Sequence, residues 1–224
     1  MRLTLFLVVL MANSAFTQPK KMKIIYAYDA LCGWCYGFEP VIMAYAAKHP
    51  EIEIEVLSGG MITGSRIGPI GQVAPYIKTA YKDVENATGV KFGKPFLMDV
   101  LDKGTAIFTS IPCGLALTAF KQLMPAKALD YAAALQKAIY YNGTDPSDME
   151  AFARLAEGLG ASKDPFLKLA ASNDIKQMTQ DEFLRVSRFG VRGFPTVLIE
   201  RDGSYQAVSS GYLPLAELEK KLAQ

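Results

Sequence analysis

Histidine and cysteine are scarce in this 224-residue chain, which contains one histidine and three cysteines. A zinc site built on Cys32 and Cys35 needs a second pair of Cys or His ligands. Cys113 and His49 are all that remain, and they do not supply such a pair. A haem attachment needs histidine directly after the second cysteine, where Tyr36 stands. We therefore predict no metal site.

Long runs of like charge are also absent. The 24 Lys and Arg residues nearly balance the 22 Asp and Glu residues, so the formal net charge is +2. Lys20, Lys21 and Lys23 form a short basic cluster, which is more typical of a solvated strand entrance than of a nucleic-acid patch. Nucleic acid is not an expected partner.

The N-terminal apolar stretch is too short to cross a membrane. It covers residues 3–16, whereas a membrane-spanning helix needs about 20 apolar residues. Arg2 precedes the stretch and small or polar residues follow it through Gln18, which is the layout of a secretory signal peptide. We predict that residues 1–17 are a cleaved signal peptide rather than an uncleaved anchor. The mature protein is then periplasmic or otherwise extracytoplasmic, where thiol pairs can work as disulfides.

Two of the cysteines stand close together in the segment Cys32-Gly33-Trp34-Cys35. They follow a β-prone apolar run and begin a helical pattern. A thiol in the first turn of a helix lies near unpaired backbone N–H groups and the positive end of the helix dipole, which favour the thiolate. Cys32 is therefore the candidate nucleophile, and Cys35 the thiol that resolves a mixed disulfide by internal attack. We expect the Trp34 ring between them to be largely exposed.

The segment before and after these cysteines predicts a strand, a helix and a second strand. Residues 23–28 are an apolar β-prone run, and residues 32–48 show helical spacing with Pro40 inside the helix. Residues 51–57 alternate acidic and apolar side chains, which is typical of a strand with one wet face. The two strands are expected to run parallel through a right-handed crossover.

The rest of the chain is predicted to be mainly helical until it returns to β structure near its end. Residues 58–75 are rich in Gly and Pro and indicate a loop, and about six helices follow with no convincing strand before Gly193. Two of those helices are expected to begin at capping boxes, Ser147 with Glu150 and Thr179 with Glu182. Residues 196–200 and 205–208 predict a hairpin, and a final helix spans 214–222.

These features together resemble the DsbA family of thioredoxin-fold thiol–disulfide oxidoreductases. The resemblance covers residues 22–224 and is closest to the branch described as predicted protein-disulfide isomerases. It is carried by the opening motif, by Pro40 and by the distal Phe-Pro-Thr, with the following residues: Tyr26 or Tyr28, Asp29, Cys32, Trp34, Cys35, Gly37, Pro40, Phe194, Pro195 and Thr196.

The resemblance implies a thioredoxin fold, of class α/β, with an inserted all-helical subdomain. The thioredoxin parts would be residues 18–74 and 191–224, and the inserted subdomain residues 75–190. It also implies that Pro195 has a cis peptide bond and packs against the cysteine pair. The backbone of Phe194, next to Thr196, would then offer strand-like hydrogen bonds to an extended substrate.

Two residues that help related proteins are missing here. Histidine between the cysteines, which strongly oxidising members use to stabilise the thiolate, is replaced by Gly33 and Trp34. The carboxylate six residues before the first cysteine, which can shuttle the proton of the second, is replaced by Tyr26. Asp29 and Glu39 are the nearest substitutes, as proton relays or simply as loop-capping and solvated carboxylates.

The third cysteine has two open interpretations. Ser110 is the predicted N-cap of a helix, which places Cys113 in the first turn and makes it a possible auxiliary thiol. A cysteine within an apolar helix is more often buried and inert.

The sequence thus predicts an exported thiol–disulfide oxidoreductase or protein-disulfide isomerase. Its substrates would be protein cysteines, it would need no dissociable cofactor, and a redox partner protein or glutathione would reset it. One alternative is a glutathione-dependent isomerase or transferase of the kappa or hydroxychromene type, whose members usually have serine at the nucleophile position and do not need Cys35. Another is a non-enzymatic polypeptide-binding chaperone module. The direction of exchange is left open.

Overall fold

The structure is a computed structural model and describes residues 22–201 and 203–223. The predicted signal peptide, residues 1–17, lies outside the described residues. The strands are β1 (Lys23–Tyr28), β2 (Glu53–Ser58), β3 (Gly68–Pro69), β4 (Ile107–Phe108), β5 (Thr196–Arg201) and β6 (Ser204–Ser210). The helices are α1 (Gly33–Lys48), α2 (Ala74–Thr88), α3 (Ser110–Leu123), α4 (Ala128–Tyr140), α5 (Met149–Gly158), α6 (Lys163–Ala171), α7 (Asn173–Arg188) and α8 (Leu215–Leu222).

Four strands form the central sheet in the order β2-β1-β5-β6. Strand β1 runs parallel to β2, with Ile25 opposite Glu55, and antiparallel to β5, with Ile25 opposite Leu198. Strands β5 and β6 pair as an antiparallel hairpin. Both the parallel strand–helix–strand unit and the C-terminal hairpin of the sequence prediction are confirmed. The α/β thioredoxin fold is confirmed with them.

The two faces of the sheet pack against different helices because side chains alternate along β1. Tyr26 and Tyr28 face the larger core, which also contains Phe120 of α3 and Tyr131 of α4. Ile25, on the other face, belongs to a smaller cluster that includes a residue of α7. The core is therefore continuous from the sheet into the helical segment.

The helical segment between β2 and β5 contains α2 to α7 and a π-helical stretch, Pro95–Asp102. The prediction of no strand in this region is wrong, because β3 and β4 pair antiparallel, with Gly68 opposite Phe108. Strands of two residues are too short to leave a period-two pattern in the sequence. None of the helices in the described part of the chain is long and apolar enough to cross a membrane.

The predicted helix starts are displaced in three places. Thr109, not Ser110, caps α3, and Asp148, not Ser147, caps α5 by accepting a hydrogen bond from Ala151 N at 2.8 Å. Helix α7 begins at Asn173, so Thr179 lies inside it and bonds back to a carbonyl of the preceding turn. Ser, Thr and Asp side chains can bond to the backbone at several positions, which makes caps hard to place from sequence.

Candidate active site

Cys32 lies at the junction between strand β1 and helix α1. Its backbone is extended, with φ −96° and ψ 112°, and it occupies the N-cap position of α1. A tight turn places it there, because its N–H donates to the carbonyl of Asp29 at 3.1 Å. Its carbonyl then accepts the first helical bonds, from Cys35 N at 3.0 Å and Tyr36 N at 3.1 Å. The Cys32 sulfur thus stands at the open N-terminus of a 16-residue helix.

Cys35 lies one turn further into α1 and is fully buried, whereas Cys32 retains 7% exposure. Both cysteines are free thiols in this structure, and so is Cys113. Burial raises the pKa of the Cys35 thiol well above its ordinary value, and the neighbouring Cys32 and the Asp29 carboxyl raise it further. The pair therefore combines a slightly exposed cysteine, which lines a cavity, with a fully buried one.

The loop before β5 brings Phe194, Pro195 and Thr196 against this pair. The Cys32 thiol donates to the Phe194 carbonyl at 3.4 Å. The Phe194–Pro195 peptide bond is cis, as the family resemblance implies. Thr196 begins β5 opposite Ala27, and its hydroxyl donates to the Gly193 carbonyl at 2.8 Å. The segment Phe194-Pro195-Thr196 and the cysteine turn thus lie next to each other, at the same end of the paired strands β1 and β5.

Asp29 stabilises the turn that contains Cys32 through hydrogen bonds and is only 1% exposed. Its carboxylate accepts hydrogen bonds from Leu31 N at 2.9 Å, from Met61 N at 2.8 Å and from the Ser110 hydroxyl at 3.0 Å. Burial raises the pKa of Asp29, and these three hydrogen bonds oppose that rise. The residue ties the cysteine turn to the loop after β2 and to the start of α3. In the structure it caps a loop, which was one of its two sequence interpretations.

Gln136 of α4 supports the same turn and was missed in the sequence. Its side-chain amide is buried and donates to the carbonyls of Asp29 at 3.3 Å and Cys32 at 3.5 Å. The available signal was a polar residue directly after Leu135 in an otherwise apolar helix face. No local pattern indicates that this amide meets a turn 104 residues away.

Trp34 is half-buried, so the expectation of a largely exposed ring is wrong. Its ring lies against that of Tyr212, with centroids 6.4 Å apart. Together with Cys32, Gly33 and Phe194 it lines a cavity of about 380 Å³. The opposite wall includes exposed apolar residues of α2 and the turn before it, and none of the described residues that line the cavity carries a charge.

Glu39 and Cys113 do not line this cavity. Glu39 lies in a separate surface hollow with Lys137, where burial raises the pKa of its carboxyl and Lys137 opposes the rise. Cys113 is 2% exposed, and its thiol points at the Pro146 carbonyl at 3.6 Å. Burial raises the pKa of Cys113 well above its ordinary value, which is the setting of an inert core thiol.

The sheet order, the two thiols at a helix start and the facing cis-proline define a protein with a thioredoxin fold. A family model described as a DSBA-like thioredoxin domain matches residues 23–223. The chain therefore belongs to the family of DsbA-like thioredoxin domains. Members of this family are generally thiol–disulfide oxidoreductases that act on cysteine-containing substrates with thiol partners such as glutathione.

Solved structures similar to this chain include a proposed protein disulfide isomerase from Nitrosomonas europaea. That structure matches with a TM-score of 0.79 at 24% identity, covering 91% of this chain and 97% of the other. The cytosolic disulfide reductase DsbM from Pseudomonas aeruginosa matches with a TM-score of 0.72 at 28% identity, covering 84% and 89%. A 2-hydroxychromene-2-carboxylate isomerase shares the fold, with a TM-score of 0.60 at 14% identity and coverage of 90% and 94%. The search of curated proteins found no match.

Proposed function

We propose that this protein is an exported thiol–disulfide oxidoreductase that forms or rearranges disulfide bonds in other proteins through Cys32 and Cys35. The observation that carries the proposal is the geometry of the pair. The Cys32 sulfur lies at a helix N-cap and 3.4 Å from the Phe194 carbonyl, at the wall of an open cavity, while Cys35 is buried one turn behind it.

The exchange reaction follows from this difference in exposure. The Cys32 thiolate attacks one sulfur of a substrate disulfide, and the other substrate sulfur leaves as a thiolate. Cys35 then attacks the Cys32 sulfur, which closes the enzyme disulfide and releases the second substrate thiol. The reverse sequence transfers the disulfide to a substrate. Cys113 takes no part because its thiol is buried away from the cavity.

Two kinds of contact would position the substrate, namely hydrogen bonds to the protein backbone and apolar contacts in the cavity. An extended peptide beside Phe194 and Pro195 would pair with the backbone at the start of β5. Its side chain next to the reactive cysteine would enter the cavity lined by Trp34. Because no described lining residue is charged, we expect an apolar side chain there.

Export is part of the proposal and rests on the N-terminal sequence. Residues 1–17 have the charge and hydropathy layout of a signal peptide. The similar protein DsbM is a cytosolic reductase, so the proposed cellular location of this protein differs from that of DsbM. Expression of the full chain in a bacterial host, followed by fractionation and N-terminal mass spectrometry, is expected to give a periplasmic protein shortened near Thr17. An intact N-terminus in the cytoplasm would contradict export.

No dissociable cofactor is proposed, because the redox centre is the cysteine pair itself. A turnover that oxidises or reduces the pair must be balanced by a second thiol or disulfide. We propose that a redox partner protein or glutathione supplies it.

Substitution of each cysteine tests the assigned roles. Cys35→Ser is expected to accumulate a mixed disulfide between Cys32 and a disulfide-bonded model protein, because the resolving thiol is gone. Cys32→Ser is expected to form none, and Cys113→Ser is the matched control that should behave like the wild type. Non-reducing gels and mass spectrometry of acid-quenched samples measure the adduct.

The same variants separate the alternatives. Full turnover by Cys35→Ser would favour a glutathione-dependent isomerase or transferase instead. Suppression of aggregation that survives both Cys32→Ser and Cys35→Ser, with no adduct in any variant, would favour a chaperone module.

A further inference from the structure

Two tyrosine hydroxyls are buried without a hydrogen-bond partner at the strand that leads into the cysteine turn. They belong to Tyr26 and Tyr28, and each ring is at most 2% exposed. A buried hydroxyl that makes no hydrogen bond destabilises the folded state. Such a group is a reason to look for the state of the protein in which it finds a partner.

The group that Tyr26 faces is the Cys35 thiol. After burial itself, Cys35 is the neighbouring group that raises the pKa of Tyr26 most, followed by Cys32 and Tyr28. The Tyr26 ring is held between Tyr28 and Phe38, with centroid distances of 5.6 and 5.7 Å. Its backbone pairs with strands on both sides. The hydroxyl is therefore fixed beside the buried sulfur.

Apart from a backbone hydrogen bond at Asp29, which lowers the pKa of Cys35, the groups around this sulfur do not favour a negative charge. The titratable side chains that face it in the described structure are the thiol of Cys32, the carboxyl of Asp29 and the phenols of Tyr26, Tyr28 and Tyr140, and none is a cation. Asp29 opposes the thiolate by its own charge. Burial raises the pKa of Tyr26 well above its ordinary value, so this phenol keeps its proton and remains a donor.

We propose that the Tyr26 hydroxyl donates a hydrogen bond to the Cys35 sulfur when that sulfur carries negative charge during disulfide exchange. The inference rests on the proposed thiol–disulfide function and adds a residue to it. In the dithiol state the Tyr26 hydroxyl has at most a weak contact with the Cys35 thiol. It gains a stronger hydrogen bond when the sulfur becomes a thiolate, because a hydrogen bond to a charged acceptor is about twice as strong as one to a neutral acceptor.

The step in which Tyr26 acts is the resolution of the mixed disulfide. The Cys35 thiol loses its proton, and its electron pair attacks the Cys32 sulfur. The bond between Cys32 and the substrate sulfur breaks, and the substrate leaves as a thiolate that takes up the proton through bulk water. The enzyme pair is oxidised by two electrons and the substrate disulfide is reduced. In the reverse direction Cys35 is the leaving thiolate, so the same donor serves both directions.

Tyr26→Phe tests the proposal, with Tyr28→Phe as the matched control. Tyr28 is on the same strand and face with an equally partnerless hydroxyl, but the thiol it interacts with most is Cys113. Reduced protein is mixed with a fluorescent peptide disulfide, and the mixed disulfide is followed by rapid acid quench and mass spectrometry. We expect Tyr26→Phe to resolve the adduct about tenfold more slowly at pH 7 and to move the pH–rate profile upward by about one pH unit. Tyr28→Phe is expected to change both much less, because Cys35 contributes less to the pKa of Tyr28 than Cys113 does.

Site-specific replacement of Tyr26 by 3-fluorotyrosine gives an independent readout with almost no change of shape. The fluorinated phenol is a stronger donor, so the pH–rate profile for resolution is expected to move downward. Wild-type rates and profiles for Tyr26→Phe, or an unchanged profile for the fluorotyrosine protein if Tyr26→Phe does not fold, would overturn the inference. Failure of the wild-type protein to form any mixed disulfide would instead overturn the proposed function.

Discussion

Asp29 is the residue whose removal should loosen the cysteine turn most. Its buried carboxylate accepts hydrogen bonds from two backbone N–H groups and from Ser110. Asp29→Ala leaves these donors unpaired, and we expect it to lower the free energy of unfolding by about 2–4 kcal/mol. Asp83→Ala, which removes an exposed carboxylate from α2, should change it by less than about 0.5 kcal/mol. Urea denaturation measures both, and equal effects would contradict the role of Asp29.

The raised pKa of Asp29 also predicts how the free energy of unfolding depends on pH. Because burial raises the pKa of Asp29 in the folded protein above its ordinary value, the folded state holds this proton more tightly than the unfolded chain. The contribution of Asp29 to stability is therefore fully present at lower pH and is lost as pH rises through the folded pKa. The free energy of unfolding of the wild type minus that of Asp29→Asn should fall as pH rises from about 4 and then level off. A difference that rises with pH would contradict the raised pKa.

Gly59, the residue directly after strand β2, packs against the ring of Phe194 and so positions the loop before β5. A Cβ atom at Gly59 would lie 2.0 Å from the Phe194 ring. Gly59→Ala must therefore displace the residue whose carbonyl accepts the Cys32 thiol hydrogen bond. We expect it to lower the free energy of unfolding by about 1–3 kcal/mol and to alter the exchange rate. Gly158→Ala, where a Cβ meets nothing within 4 Å, is the control that should leave the exchange rate unchanged.

The elements with strong local signals were predictable from the sequence. Strand β1, helix α1 and the C-terminal hairpin follow from apolar periodicity and turn residues, and their pairing follows from the rule for strand–helix–strand units. The pair β3 and β4 was not, because two residues carry no periodicity. Trp34 is half-buried by Tyr212, and Gln136 reaches the cysteine turn, through contacts more than 100 residues apart in the chain. Such contacts depend on the tertiary fold alone.

The cavity beside Cys32 is built from distant parts of the molecule, because α2 and the turn before it line it together with the cysteine turn. Its apolar wall predicts a preference for apolar substrate side chains. Burying a Phe side chain is worth about 1.5–3 kcal/mol. A peptide disulfide with Phe next to its cysteine should therefore form the mixed disulfide at least about tenfold more efficiently than one with Glu there. Val73→Asp, in the cavity wall, should remove this preference. Met98→Asp, at a residue that is also exposed but lies outside the wall, should keep it. Equal rates for the two peptides would contradict the role of the cavity.

The redox couple of Cys32 and Cys35 is tested most directly by titrating the purified protein against glutathione buffers. Alkylation and mass spectrometry then count the thiols at each potential. We expect Cys32 and Cys35 to be oxidised together in one two-electron transition, with Cys113 remaining a thiol, at a potential above the roughly −270 mV of thioredoxin. A pair that stays reduced or oxidised throughout, or a disulfide that involves Cys113, would contradict the proposed redox site.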